Sequence, residues 1–583
     1  MRVFRIERSL YAALLILAAT PVFIPIGFVR TAAAQTGMPI PLLPPTPTAP
    51  APPTPAAPPA PPPAAPSDSQ IESQPLAPLD PSWTGTLGAA DRALPQDMWS
   101  TTPRSLVDAA LPLLQPTNSP ALQDLGRRLL LSGATVPAGQ DPTTGPSLID
   151  RRFGRLLALG YSEGAALIDA LPQRDAGEGF DRDSVELRIA GGDLPGACRT
   201  VTDRVVRYRN AWWNEALIAC QALSRAYDQA ALGLSVLREQ KATRDPVFET
   251  LIEAILGHRG KLDKLPDPTP LRMTLLAAAK LPLPGDALAA AGPAALAVWA
   301  TSDHVPIAAR LAAGEKAEAF GALPPAGLGL LYGAVEIKPE ERAGLLKSGK
   351  LPDDPRARAI LFDVARASDP GAARVAALAP LLADARRRGA FFAMARLVGP
   401  LVEELQPAPE LRSFAGEAAR VLLATHDGDR AAPWVALAGS AELRVVADFA
   451  HVPGGDEESP PLAAAITALT ALDAPAASRQ ADLLVSLAAA LGEPLGGIDR
   501  APLLRVPHPG TVPNGALWLD QEEAAKAQRI GETVLTTILM ATAGDRLSAE
   551  PIVLAQAVAG LEAAGLDPDA RALAVEAALD AGI

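Results

Sequence analysis

Residues 551–583 read PIVLAQAVAGLEAAGLDPDARALAVEAALDAGI. Apolar residues recur at intervals of three and four on both sides of the tripeptide Leu566-Asp567-Pro568, which is helical spacing. Gly565 stands where a helix must end, Asp567 where the next must be capped, and Pro568 where its missing N–H costs nothing. The stretch therefore predicts two antiparallel helices joined by a very short turn. The apolar run GETVLTTILMATAG, residues 531–544, adds a third helix immediately upstream.

The same punctuation recurs toward the N-terminus. Ser119-Pro120, Asp245-Pro246, Asp354-Pro355 and Asp369-Pro370 each place a capping side chain before a proline, which predicts four more helix starts. Between them the spacing stays helical: Trp213, Leu217, Cys220 and Leu223 form one stripe, and Val247, Leu251 and Ile255 another, widened by Ile252. In ARRRGA, Arg386, Arg387 and Arg388 precede Gly389; cations before a glycine fit a helix C-terminus better than a nucleic-acid patch. ELRVVADFAHV, residues 442–452, is the one segment with a strand-like reading. Helical hairpins in series predict an all-α fold, an irregular α-solenoid that follows a disordered Pro-rich linker. No W-x-x-L-G-x-x-Y signature recurs, so a strict tetratricopeptide array is not expected.

Composition agrees. Aromatic residues make up only 4% of 583 residues, and the Ala- and Leu-rich remainder favours helix over sheet. The net charge is −13; the first 34 residues carry +3, which leaves −16 for the rest. An acidic body of this kind argues against binding nucleic acid or anionic lipid.

The N-terminus has the layout of an export signal. A basic start, MRVFRIERS, precedes an apolar run from Leu10 to Val29, and RTAAAQ supplies a small-residue cleavage site after Ala34. The alternative is an uncleaved anchor, since the run is about long enough to span a bilayer, although Pro21 and Pro25 interrupt it. Membrane association is expected only if that segment stays. PPTPTAPAPPTPAAPPAPPPAAP, residues 44–66, is too rich in proline for helix or sheet. It would extend about 70 Å as polyproline II. The expected organisation is a signal peptide at 1–34, a linker at 35–86, and three helical regions at 87–265, 266–440 and 441–583.

Five phrases resemble a group of exported alphaproteobacterial proteins of unassigned role: MWSTTPRSLVDAALPLL with SPALQDLGRRLLLSGA, GDLPGACRTV with WWNEALIACQAL, and GLDPDARALAVEAALDAGI. The resemblance implies an exported, mostly helical protein, loosely grouped with tetratricopeptide-like folds. It carries no functional residue.

Cys198 and Cys220 are the only cysteines. Their midpoint falls in the polar break Tyr208–Asn210, so two antiparallel helices joined there bring both to one height. Cys198 shares a stripe with Val201 and Val205, and Cys220 one with Trp213 and Leu217. In an oxidising compartment that placement predicts a disulfide. Two separate buried thiols are the alternative. With no C-x-x-C spacing, no redox catalysis is expected of the pair.

Catalytic signatures are missing. The five histidines, His258, His304, His426, His451 and His508, show no metal-ligand spacing. Ser302-Asp303-His304 is a string of neighbours, whereas a triad requires groups that face one another in space. GLLKSGKL, residues 344–351, imitates a phosphate-binding loop but has Leu351 in place of the metal-binding hydroxyl. GGDEES, residues 454–459, lacks the alternating ligands of a calcium loop. The expectation is an exported periplasmic helical-repeat protein that acts as a binding or scaffold module. It would have no cofactor and no catalysis, and its partner would be a protein or another envelope component. An envelope hydrolase or enzyme accessory with scattered carboxylates, and an inner-membrane-anchored spacer, are the alternatives.

Overall fold

The computed structural model of the chain describes residues 81–139, 145–171, 177–239, 245–348, 351–451, 461–472, 474–506, 510 and 512–583. The expected signal peptide, nearly all of the expected linker, the GGDEES cluster, His508 and the Gly349-Lys350 pair of the loop mimic lie outside them.

Among the described residues the chain is all-α, with 27 α-helices and one pair of two-residue strands. It forms an irregular α-solenoid of antiparallel hairpins, most helices packing on a sequence neighbour and several on the helix two places away. Capping chemistry sets the boundaries. Ser119 Oγ accepts from the Leu122 N–H at 3.2 Å, Asp245 from Val247 and Phe248 at 2.9 and 3.1 Å, and Asp354 from Arg356 at 3.0 Å. Each starts a helix with proline in its first turn, which satisfies donors the helix cannot satisfy itself.

Three sequence expectations need correction. The Asp369-Pro370 pair starts no helix. The helix Ala372–Arg388 begins two residues later, behind Gly371 with φ of +149°. That backbone conformation is open to glycine and moves the start past the aspartate. Asp567 is the first residue of the helix Asp567–Asp580 rather than its cap; Leu566 holds the cap position. The strand-like segment is also helical. Ser440 caps the helix Ala441–Phe449 by accepting from Leu443 N–H at 3.1 Å, and Arg444 pairs with Asp448 one turn on. The β-branched Val445-Val446 pair suggests a strand, but the cap and the buried row Leu443, Val446 and Ala447 decide for helix.

The two strands are β1, Thr542–Ala543, and β2, Arg546–Leu547, paired antiparallel with Thr542 opposite Leu547. Gly544, with φ of +69°, makes the turn. They end the helix Ile530–Ala541 before the residues Thr542, Ala543 and Gly544 that the sequence placed inside it.

The described residues fall in one compact unit, and the three helical regions divided at 265 and 440 are stretches of it. The unit begins ahead of Leu87. Buried Arg152 donates to the carbonyls of Ser82 and Thr84, and the Thr86 N–H donates to Leu131 O at 2.9 Å.

The two ends of this unit meet. The Gly531 N–H donates to Met98 O at 2.8 Å, and Gly531 lies so close to the Trp99 ring that a Cβ there would stand 2.7 Å from it. From the last helix, Asp569 pairs with Arg128 at 2.8 Å and with Arg92. Glu576 Oε2 accepts from the Ala121 N–H at 2.8 Å, at the start of the helix Pro120–Leu131. Arg420 donates to the carbonyl of the terminal Ile583 at 2.8 Å. The array is therefore closed by its last hairpin, not left with two free ends.

Candidate functional site

Of the expected site residues, Cys198 and Cys220 are brought together. The helix Leu194–Arg204 carries Cys198 and the helix Ala211–Leu223 carries Cys220; the two sulfurs are bonded, with Cα atoms 5.6 Å apart. Asn210 caps the second helix and ends the polar turn between them. Val201 and Trp213 flank the bridge and are fully buried. Tyr208 stacks on Trp213 at 5.2 Å and donates to Asp181 at 2.9 Å. Trp213 Nε1 donates to Glu178 at 3.1 Å. Burial pushes the Asp181 carboxyl up, against the pull of Tyr208 and Arg204. The hairpin is thus fixed to the preceding helix, Glu178–Ala190, by aromatic and polar contacts as well as by its own cross-link.

The other sequence candidates do not assemble. Ser302 caps the end of the helix Pro293–Thr301, and Asp303 and His304 are exposed in the turn that follows. Among the described residues, no group of three or more His, Cys, Asp or Glu side chains could hold a metal ion. No described helix is long and apolar enough to cross a membrane.

Two cavities form near the closure. One, of about 450 Å³, lies among Asp124, Arg127, Tyr161, Glu163, Glu318 and Arg396. Its carboxylates are engaged by arginines: Asp124 with Arg128 at 3.0 Å, Glu163 with Arg127, and Glu318 with Arg396 at 2.8 Å. Glu318 is fully buried, and burial raises its pKa against the pull of Arg396. The second cavity, of about 470 Å³, opens where the helices Ile307–Ala319, Pro325–Gly333 and Phe391–Glu403 meet the turn between β1 and β2.

A buried ion network backs the second cavity. Arg358 donates to both oxygens of Glu315 at 2.8 Å, and Tyr332 Oη donates to Glu315 at 2.5 Å. Asp384, with no exposed side-chain surface, accepts from Arg387 at 2.7 Å and from Arg388 at 2.8 Å, and meets Arg358 at 3.5 Å. Burial first, then the Glu315 charge, raises the Tyr332 hydroxyl well above its ordinary pKa, so it stays a donor. The sequence places Arg386–Arg388 at a helix end, and the structure puts them there, before Gly389 in the left-handed region. Their distant partners were not visible: Arg386 pairs with Glu417 on a later helix, and Arg388 comes within 3.8 Å of Glu315, which Arg358 bridges to Asp353.

Two buried glutamates repeat one device that sequence reasoning missed. Glu576 receives the Ala121 N–H, and Glu186 receives the Leu271 N–H at 2.8 Å, at the start of the helix Pro270–Ala278. In each case a distant carboxylate serves a helix start that already has a Ser or Thr cap followed by proline. Burial pushes both carboxyls up to about 7, with the backbone N–H pulling the other way. The available signal was a glutamate inside an apolar run, LAVEAAL and SVELRI.

No protein-family model matches the chain, and no curated protein or solved structure matches it.

Proposed function

We propose that the protein is an exported helical-repeat module of the cell envelope that binds or scaffolds a partner in the periplasm without catalysing a reaction. The observation that carries this reading is the Cys198–Cys220 disulfide, because such bonds persist in oxidising compartments and are rare in the cytosol. The basic, then apolar, N-terminus and its small-residue site before Gln35 support export. The acidic balance of the remaining chain suits a protein that avoids nucleic acid and anionic surfaces. A scaffold role draws on the repeat architecture, which presents extended surfaces without a catalytic constellation.

Fractionation of cells that produce the full chain tests the reading. The expected result is protein in the periplasmic fraction, beginning at Gln35, with no thiol labelled until a reductant is added. Cytosolic protein with two free thiols would refute export. Membrane-bound protein that still begins at Met1 would replace it with the anchored-spacer reading, for which the apolar run from Leu10 to Val29 is about long enough. Cross-linking of the mature chain in intact envelopes, followed by identification of the attached component, tests the scaffold role; a chain that stays uncross-linked in the envelope contradicts it.

A further inference from the structure

We propose that the cavity of about 470 Å³ beside the turn between β1 and β2 is a binding site for a small anionic amphiphile, an oxyanion head on an aliphatic body. This goes beyond the scaffold reading and does not depend on it.

Three cations from separate segments converge on the cavity: Lys316, Arg388 and Arg546. Their commitments differ. Lys316 donates to Leu288 O at 3.2 Å, and Arg388 is held by Asp384. Arg546 is poorly engaged. Its nearest carboxylate, on Asp580, is 3.6 Å away, and among the described residues its guanidinium makes no hydrogen bond. It is still held in place. A Cβ at Gly389 would stand 2.5–2.7 Å from three guanidinium atoms, so the group lies against the bare Cα of that glycine. Asn118 fixes both flanks, donating from Nδ2 to Gly389 O at 3.2 Å and from its backbone N–H to Asp545 O at 2.8 Å. A guanidinium with a fixed plane and unfilled donors is suited to a carboxylate or phosphate.

The acidic side of the wall does not cancel this. Glu315 is already satisfied by two bonds from Arg358 and one from Tyr332. Asp545 is the other carboxylate of the lining, so against Lys316, Arg388 and Arg546 the wall keeps an excess of positive charge within a chain of net charge −13. The rest of its lining includes Ala312, Phe320, Leu328 and Met394, and Leu328 and Met394 belong to the core. That surface accepts an aliphatic chain and has little use for inorganic phosphate alone.

Isothermal titration calorimetry on the full mature chain tests the site with three probes: octyl phosphate below its micellar concentration, inorganic phosphate, and neutral octyl glucoside. Octyl phosphate should bind saturably at one site per chain. Inorganic phosphate should bind at least about tenfold more weakly for want of the apolar contacts, and octyl glucoside should give no saturable heat. Arg546→Gln should weaken octyl phosphate about tenfold, as expected for loss of charge-assisted bonds. Arg479→Gln, which removes an exposed cation outside the cavity, should leave binding unchanged. Arg546 is half exposed at a turn, so its replacement should leave the helical circular-dichroism spectrum unaltered. The proposal is overturned if octyl phosphate does not saturate, if phosphate or octyl glucoside binds as tightly, or if Arg546→Gln binds like the parent chain.

Discussion

Glu186 and Glu576 make the stability of this fold depend on pH in an uncommon direction. Most native carboxylates are paired, so acid weakens the fold; these two are buried on helix starts with pKa raised to about 7. The folded chain therefore holds two protons more tightly than the unfolded chain, where glutamate titrates near 4.3. Their contribution is fully present below the unfolded value and is lost as pH rises through about 7. From pH 8 to pH 5 each group should add about 2.5 kcal/mol, and the pair about 5 kcal/mol. For a unit of about 500 residues the unfolding entropy near the midpoint is about 1 kcal/mol per kelvin, so the pair's share of the rise in Tm should be about 5 °C.

Thermal denaturation followed by circular dichroism at pH 5, 6, 7 and 8, at constant ionic strength, reads this directly. Asp183 and Glu215, raised to about 6 and about 7 chiefly by burial, act with the same sign. The double variant Glu186→Gln, Glu576→Gln should therefore flatten the slope by roughly half rather than abolish it. A Tm that falls from pH 8 to pH 5, or a double variant with the parent slope, would refute the assignment of these carboxyls as buried and proton-holding.

Replacing both cysteines, Cys198→Ala with Cys220→Ala, should cost about 3 kcal/mol in denaturant unfolding for a bridge across 22 residues of sequence; reductant should have the same effect on the parent and none on the variant. Asp569→Asn should cost about 2 kcal/mol, because Arg128, only 3% exposed, loses its buried partner and keeps only the more exposed Asp124. It should also speed hydrogen exchange in the helix Pro120–Leu131. Ser440→Ala should cost about 1 kcal/mol through loss of the cap on Ala441–Phe449; if that segment were a strand, the substitution would be nearly silent.

Local chemistry made most helices readable and left the closure unreadable. Ser119, Asp245 and Asp354 could be read as caps because their partners lie two or three residues away. Asp369 misled because the governing feature was the backbone of Gly371, which no side-chain pattern reveals. The cystine was legible for a related reason: both cysteines sit in one hairpin, equidistant from its polar turn. Asp569, Glu576 and Arg420 belong to a different class. Their partners Arg128, Ala121 and Ile583 lie far off in the sequence. A buried carboxylate in an apolar run announces that some donor must exist, but not which helix start supplies it. The consequence for stability is physical. In an open array each hairpin leans on its neighbours alone, and damage stays local. Here the last helix serves the first turn of Pro120–Leu131, so losing Asp569–Glu576 takes one acceptor from a helix start more than 400 residues upstream and leaves it the Ser119 cap alone. Truncation before Asp567 should thus loosen the N-terminal helices before the middle of the array. Hydrogen exchange that instead rose first in the middle of the array, in Gly428–Ala438 and Pro461–Ala471, would show that the two ends do not depend on each other.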